Sequence, residues 1–377
     1  MYFSISSSSL LRKLHTLYKI ININNLSGLI TLVLSKKNQL KIIWGLDSKN
    51  LIHSYIKINV KKYTKEKVTI SIKFMIDVLI TFSNEKLLIK RTEKNTLNIY
   101  SKQGIYEIPT YNDSNHTHTV VCKSPFFEKI FLSANSLLKI LNKTLFATGN
   151  EESEPILNGV FFQFFTNEAI FVATDTYKLV KYTIKNFKIN KSIQFIISKK
   201  CLNIIQNILN DEIKSNMIIE YHNKKNIVFY FKNHIFLCQP INEKYPDYHS
   251  VIPTHDKCHA SFIINKLLLL NIIKRISIFS RKKENFVDFY FNHHKLKICD
   301  QVNINNFVSG IKCKVVFNNL KNMKIGFNSQ FLIEILSYLN EDFVYFELYS
   351  KMGIIKPLYQ KKKEESIFML VMSTIKI

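Results

Sequence analysis

Phe74-Met75-Ile76-Asp77-Val78-Leu79 runs into Phe82-Ser83-Asn84-Glu85, an apolar helix pattern closed by a polar turn, and the same reading occurs twice more. Leu202-Asn203-Ile204-Ile205 leads into Leu209-Asn210-Asp211-Glu212. Phe331-Leu332-Ile333-Glu334-Ile335-Leu336 leads into Leu339-Asn340-Glu341-Asp342. The starts at 74, 202 and 331 lie 128 and 129 residues apart. A second helix pattern keeps nearly the same interval. It begins at Leu10 and continues through Leu14 and Leu17 to Ile20, begins again at Leu137 and runs to Leu145, and a third time at Leu267, running to Ile276. Two patterns recurring together at one interval mark an internal repeat.

Alternating, β-rich stretches lie between and after these helices, among them Leu87 to Tyr100, Met217 to Leu237 and Phe343 to Tyr349. Polar turns such as His222-Asn223-Lys224-Lys225-Asn226 separate them. Each repeat thus reads strands, helix, strands, helix, strands over ~125 residues, an ordinary domain length. Helices packed on a mostly antiparallel sheet make an α+β domain. The expectation is three similar domains, 1–124, 125–248 and 249–377, with breaks near Ser124-Pro125 and Tyr248.

The 377 residues carry a net charge of +25, which draws a protein to polyanions, nucleic acid first among them. A chain rich in Lys, Asn and Ile and poor in Gly also has the look of AT-rich coding, so charge has two competing sources. No apolar run approaches the ~20 residues of a membrane-spanning helix; Lys274 and Arg275 interrupt the longest. The first 46 residues hold no Asp or Glu, as in organelle transit peptides, but a helix pattern useful to the fold already begins at Leu10. Six scattered cysteines form no CxxC pair and read as reduced thiols of a cytoplasmic protein.

By 3.6 periodicity Leu10, Leu14 and Leu17 share one face of the first helix, with Arg12, Thr16 and Lys19 on another. In the second repeat Leu137, Leu141 and Leu145 face inward, and Lys139 and Lys143 share the outer face. Lys199 and Lys200 open the later helix, and Lys274 and Arg275 sit near the end of the third repeat's first helix. Such faces can meet phosphates without reading bases, although any one of these lysines also fits an ordinary solvated face. Asp77 and Glu334 make the basic lining uneven.

Signs of catalysis are weak. His255, Cys258 and His259 form an H-x-x-C-H cluster that lacks a fourth ligand and paired spacing for zinc. His116, His118, His293 and His294 read as solvated loop residues, and Glu151, Glu152 and Glu154 as a polar connection. No GxGxxG, GxxxxGK or G-x-S-x-G stretch occurs. Neither metal nor cofactor is expected. The rival from another class is a metal-dependent nuclease using Asp175 or the Glu151–Glu154 loop; a third reading is a basic coat on DNA.

The reading sharpens at three segments. Phe146-Ala147-Thr148 leads to Leu157-Asn158-Gly159-Val160; Val172-Ala173-Thr174-Asp175-Thr176-Tyr177-Lys178-Leu179 follows; Tyr245-Pro246-Asp247-Tyr248-His249-Ser250-Val251-Ile252-Pro253 comes later. They resemble the signatures of the bacterial DNA sliding clamp family, the beta subunit of DNA polymerase III: F-A-T, L-x-G-V, V-A-T-D-x-H-[RK]-L and [FY]-P-x-Y-x-x-V-[IL]-P. The tail Phe368 to Thr374 resembles the family's L-[VL]-M-P-[VM] end, and the start at Met1-Tyr2-Phe3 is also similar.

The resemblance implies a head-to-tail homodimeric ring of six domains, helices lining the hole and sheets outside, without catalysis. Duplex DNA passes through and the polymerase is tethered, a gain in effective concentration. The implied partners are the DNA polymerase III alpha subunit and the clamp loader, with repair polymerases, ligase and mismatch-repair proteins as a wider set. The implied DNA-facing cations are Arg12, Lys19, Lys139, Lys143, Lys199, Lys200, Lys274 and Arg275. A cleft for partner peptides falls on Leu157, Thr174, Thr176, Tyr177, Lys178, Leu179, Pro246, Ser250, Val251, Leu370, Val371, Met372, Ser373 and Thr374. The dimer interface falls on Tyr106, Ile278 and Phe279, with Arg281, Lys282 and Lys283 as charged rim. Departures are plain: Thr176-Tyr177 replaces a small residue and His, Ser250 a basic residue, Ser373 the tail Pro, and Ile375-Lys376-Ile377 is atypical.

Overall fold

The computed structural model describes residues 1–21, 28–35, 37–92, 96–111, 127–150, 154–222, 225–279, 285–292, 295–300, 308–318, 324–358 and 364–374. Ser124, Pro125, Glu151, Glu152, His116, His118, His293, His294, Arg281 to Lys283 and Ile375 to Ile377 lie outside the described residues, as does the side chain of Phe279.

Among the described residues six α-helices follow directly on strands: α1 (Ser7–Ile21), α2 (Ile72–Ile80), α3 (Ala134–Thr144), α4 (Lys199–Asp211), α5 (Lys266–Phe279) and α6 (Ser329–Tyr338). Odd-numbered helices start at 7, 134 and 266 and even-numbered ones at 72, 199 and 329, so the repeat seen in sequence is a repeat of strand–helix units. Capping residues fix some starts. The Ser71 hydroxyl accepts the amide of Phe74 at α2, and the Asn328 side chain accepts those of Gln330 and Phe331 at α6. Periodicity fixes the buried face: Leu10, Leu14 and Leu17 are all at most 1% exposed.

The residues gather into two compact units, Met1–Leu138 with Lys200–Pro240, and Lys139–Lys199 with Ile241–Ile377. The first unit holds two antiparallel sheets. One runs Asn59–Lys62, Tyr2–Ser6, Lys86–Arg91, Leu97–Tyr100, Ile105–Ile108. The other joins four strands of the second repeat (Glu128–Ser133, Asn216–His222, Asn226–Tyr230, His234–Cys238) to four of the first (Leu51–Lys57, Gln39–Gly45, Leu29–Ser35, Lys67–Ser71). The junction pairs His234 with Ser54 and Phe236 with Ile52.

The second unit is built on one branched antiparallel sheet of 13 strands. Its path runs Ile193–Ser198, Gly159–Phe164, Glu168–Thr174, Lys178–Lys185, Glu365–Thr374, then Lys324–Asn328, Phe286–Asn292, Lys295–Asp300 and Val308–Lys312. Strand Glu365–Thr374 also pairs with Met352–Pro357, opening a branch through Phe343–Leu348 and Ala260–Asn265 to Lys314–Asn318. Aromatic rings fill its cores. Phe162 meets Phe171 edge-on at 5.2 Å, and Phe289 meets Phe327 edge-on at 5.4 Å. At Gly159 a Cβ would stand 2.5 Å from the Ile197 carbonyl, so the L-x-G-V glycine lets two strands close.

Candidate peptide cleft and basic helix faces

Several of the residues expected in the cleft, Leu157, Leu179, Leu370 and Met372, come together within the second unit. Leu179 and Leu370 are Cα partners across the ladder of strands Lys178–Lys185 and Glu365–Thr374, and Lys178 faces Val371. Leu157, Leu179 and Leu370 belong to one buried apolar cluster with Phe161, Val172, Tyr245, Tyr248, Tyr349 and Ile354; Met352 and Met372 pack against it. Partly buried methionines give such a surface adaptable contacts. Val251 stays outside that cluster at 46% exposure, and Pro246 and Ser250 are exposed. Tyr349, Ile354 and Met352 were not singled out in the sequence; their only signal there is the alternation of the strands around them.

The VATD segment makes a hairpin whose two loop residues are Thr176 and Tyr177. Thr176 has φ 78°, a left-handed backbone that costs a β-branched residue energy. Local hydrogen bonds hold it. Asp175 Oδ1 accepts the amides of Tyr177 and Lys178 at 3.0 and 2.9 Å, and Thr174 Oγ1 accepts the Thr176 amide and donates to the Lys178 carbonyl. The Met372 amide donates to the Tyr177 carbonyl at 2.8 Å, tying the tail to the hairpin. Ser373 and Thr374 pair with Phe327 and Gly326.

Lys178 is 5% exposed. Its ammonium pairs with Asp175 and Glu334 and lies 4.8 Å from the Phe331 ring centroid. The Tyr177 ring stacks on the same Phe331 at 5.9 Å while staying 61% exposed. The departure from small-residue-then-His therefore builds an aromatic ledge of Tyr177 and Phe331. In the YPDY segment Tyr245 is buried against Phe161 at 4.7 Å, and Tyr248 donates its hydroxyl to Gln163 Oε1 at 2.7 Å. Burial, then the carboxylates of Glu168 and Asp247, push the Tyr248 phenol up to about 12, so it stays a neutral donor.

The basic residues divide into two groups. Arg12, Lys19, Lys200, Lys274 and Arg275 are exposed on α1, α4 and α5, and Lys199 is half-buried. Burial, with the nearby Lys178 ammonium, lowers the Lys199 pKa. The other two have partners within the second unit, and of them Lys139 keeps 41% of its side chain exposed. Lys143 is 7% exposed and donates to the Tyr338 carbonyl, because the end of α3 packs under the end of α6. Lys139 pairs with Glu365, which also accepts the Tyr182 hydroxyl. Periodicity puts Lys143 outside because it does not see the third repeat covering that position. Tyr106 is 39% exposed on strand Ile105–Ile108, and Ile278 is 78% exposed near the end of α5.

The features that could have been catalytic are otherwise engaged. The Asp175 carboxylate holds the hairpin turn. His255 is exposed, Cys258 is buried with its thiol donating to the Ala260 carbonyl, and the described residues contain no cluster of three or more metal-ligating side chains. No described helix is long and apolar enough to cross a membrane.

Comparison with known proteins agrees with this geometry. The family model for the DNA polymerase III beta subunit, central domain, matches residues 131–247, and that for its C-terminal domain matches residues 249–374. The chain belongs to the DNA polymerase III beta subunit family. The beta sliding clamp of Streptococcus pneumoniae is 24% identical over 362 residues, 90% of each chain. That of Buchnera aphidicola is 28% identical over 256 residues, 65% of each chain. Among solved structures, the DNA polymerase sliding clamp from Bacillus subtilis superposes with TM-score 0.85 at 19% identity over 100% of both chains. The DNA polymerase III subunit beta from Pseudomonas aeruginosa does so with TM-score 0.85 at 18% identity, again over 100% of both. The family's function is that of a DNA sliding clamp, a non-catalytic processivity factor of the replicative polymerase, and the nuclease reading falls with that membership.

Proposed function

We propose that two copies of this chain close head to tail into a ring of six domains, 1–124, 125–248 and 249–377 from each, that encircles duplex DNA and tethers the replicative polymerase. The observation that carries this reading is the recurrence of strand–helix units at starts 7, 72, 134, 199, 266 and 329. Six such units per chain supply a lining of helices whose cations attract phosphates without base readout, so shifting along the duplex costs little. Arg12, Lys19, Lys200, Lys274 and Arg275 form the DNA-facing set, with Lys199 beside them. Lys139 and Lys143 contribute less, since their ammonium groups are spent on internal partners.

Closure uses strand edges. Ile105–Ile108 ends the five-stranded sheet and Val308–Lys312 ends the path through the large sheet. An unpaired edge is a template for a strand of another chain, and Tyr106 and Ile278 supply exposed apolar contact. The cluster around Leu157, Leu179, Leu370 and Met372, under the Tyr177 ledge, takes short apolar peptide motifs of the polymerase alpha subunit and the clamp loader. Repair polymerases, ligase and mismatch-repair proteins make the wider partner set, and the protein works in the cytoplasm at the nucleoid.

The test is retention on nicked circular DNA. The protein is loaded with a bacterial clamp loader, washed at elevated salt, and half of the sample is linearised. Retention on circles with loss from linear ends supports the ring; equal loss from both rejects topological linkage.

A further inference from the structure

We infer that the first repeat carries a phosphate-binding cleft, separate from the helix faces and the peptide cleft, that takes a phosphate group on Lys62 and Lys90. The cleft measures about 530 Å³ and opens at the Tyr2 end of the five-stranded sheet. Its wall carries two lysines, an arginine, Tyr2 and the hydroxyl residues Thr64 and Thr92. Cations and hydroxyls lining one cleft are the donor set for a phosphate oxyanion.

Register builds the arrangement. Tyr2 is the Cα partner of Lys62 on one side and of Lys90 on the other. Directly opposed residues in an antiparallel ladder point to one face, with Cβ atoms ~5 Å apart, so two ammonium-bearing chains flank one tyrosine. The pairing shifts between Tyr2 and Phe3, where the partner moves from Lys62 to Val60. This bulge makes Lys61 the extra residue and re-aims Lys62, as bulges beside binding sites do. Like charges so placed repel unless an anion lies between them.

The one carboxylate among the described wall residues does not fill that role. Glu66 Oε2 is taken by the Met1 amine at 2.8 Å, by Thr64 Oγ1 at 3.2 Å and by Arg91 at 3.8 Å. Glu66 therefore holds Arg91 at the rim, and no described ion pair engages Lys62 or Lys90. An edge strand bearing lysines is also a guard against strand addition, but that role needs neither a cleft nor hydroxyls.

The experiment is calorimetric titration of the full chain with inorganic pyrophosphate, repeated in the presence of a short linear DNA duplex. Two double variants carry equal charge loss: Lys62→Ala/Lys90→Ala in the cleft, and Lys185→Ala/Lys188→Ala on exposed surface elsewhere. All are checked for an unchanged thermal unfolding curve. The expected result is one saturable site in the wild type and the surface variant, weakened by about tenfold or more in the cleft variant, as befits loss of charge-assisted hydrogen bonds. Competition by duplex would identify nucleic-acid phosphate as the source of the ligand; its absence would identify free phosphate compounds. No saturable site, or equal weakening in both double variants, overturns the inference. Neither outcome bears on ring closure, which the circle assay reads separately.

Discussion

Leu179 and Leu370 stand opposite each other across two antiparallel strands, one from the VATD hairpin and one from the chain's tail, and both are at most 3% exposed. They hold the second and third repeats in one sheet and form the floor of the proposed peptide cleft. Leu370→Ala removes a large side chain from this buried contact and leaves a cavity. The expected cost is about 2–5 kcal/mol by denaturant unfolding. Affinity for an apolar clamp-binding peptide should fall with it, whereas Leu267→Ala, at a residue 59% exposed on α5, should change neither by much.

Lys178 allows a second, signed prediction. Its side chain is 6% exposed while that of Glu334 is 43% exposed. Removing both acids by Asp175→Asn/Glu334→Gln strands a buried ammonium, which costs about 3–5 kcal/mol. Lys178→Met leaves carboxylates that water can reach and an apolar chain in an aromatic setting, so it should cost clearly less. Urea midpoints of the two variants decide the order; the reverse order would mean that the charge pairing does not fix the hairpin.

The sheet junction in the first unit should be sensitive to acid. His53 and His234 are buried on neighbouring strands, and His234 Nδ1 lies 2.7 Å from Ser54 Oγ. Burial, with the Lys41 ammonium, pulls His53 down to about 3, and burial, with that of Lys13, does the same for His234. Their folded pKa values lie below the unfolded value of about 6.5. The unfolded chain therefore binds more protons in the interval between, and the stability these residues confer is complete above that unfolded value and lost as pH falls toward 3. Protection of the amides in strands Leu51–Lys57 and His234–Cys238, taken relative to their intrinsic exchange rates, should fall on going from pH 7 to pH 5. His234→Gln should flatten that dependence.

How much of this was legible follows from which interactions are local. The helix pairs at 7 and 72, 134 and 199, 266 and 329 were readable because apolar spacing and turns are written in short windows. Leu157, Leu179 and Leu370 could be grouped only through the resemblance, since their meeting depends on a ladder between residues 178–185 and 365–374. Lys143 was placed on an outer face because helical phase is blind to what a distant element covers. The Tyr177–Phe331 ledge had no sequence signal, for stacking across 154 positions leaves no periodicity. Nor did the junction of His234 with Ser54.

The contrast between exposed and buried cations yields the last prediction, on DNA. Lys200 and Arg275 are exposed on α4 and α5, whereas Lys143 is buried against Tyr338. Each phosphate contact contributes about −0.9 to the slope of log K against log salt on B-DNA. Lys200→Ala/Arg275→Ala should therefore make that slope shallower by about 1–2, alike for every duplex sequence, if both cations meet phosphate. Lys143→Met should leave the slope unchanged, since its ammonium never reaches solvent counterions, although it should lower the unfolding midpoint by removing a partner of the Tyr338 carbonyl. Fluorescence anisotropy over a salt series reads the slope. A shallower slope in Lys143→Met with none in the double variant would move the DNA-facing surface from the exposed helix faces to the α3–α6 contact.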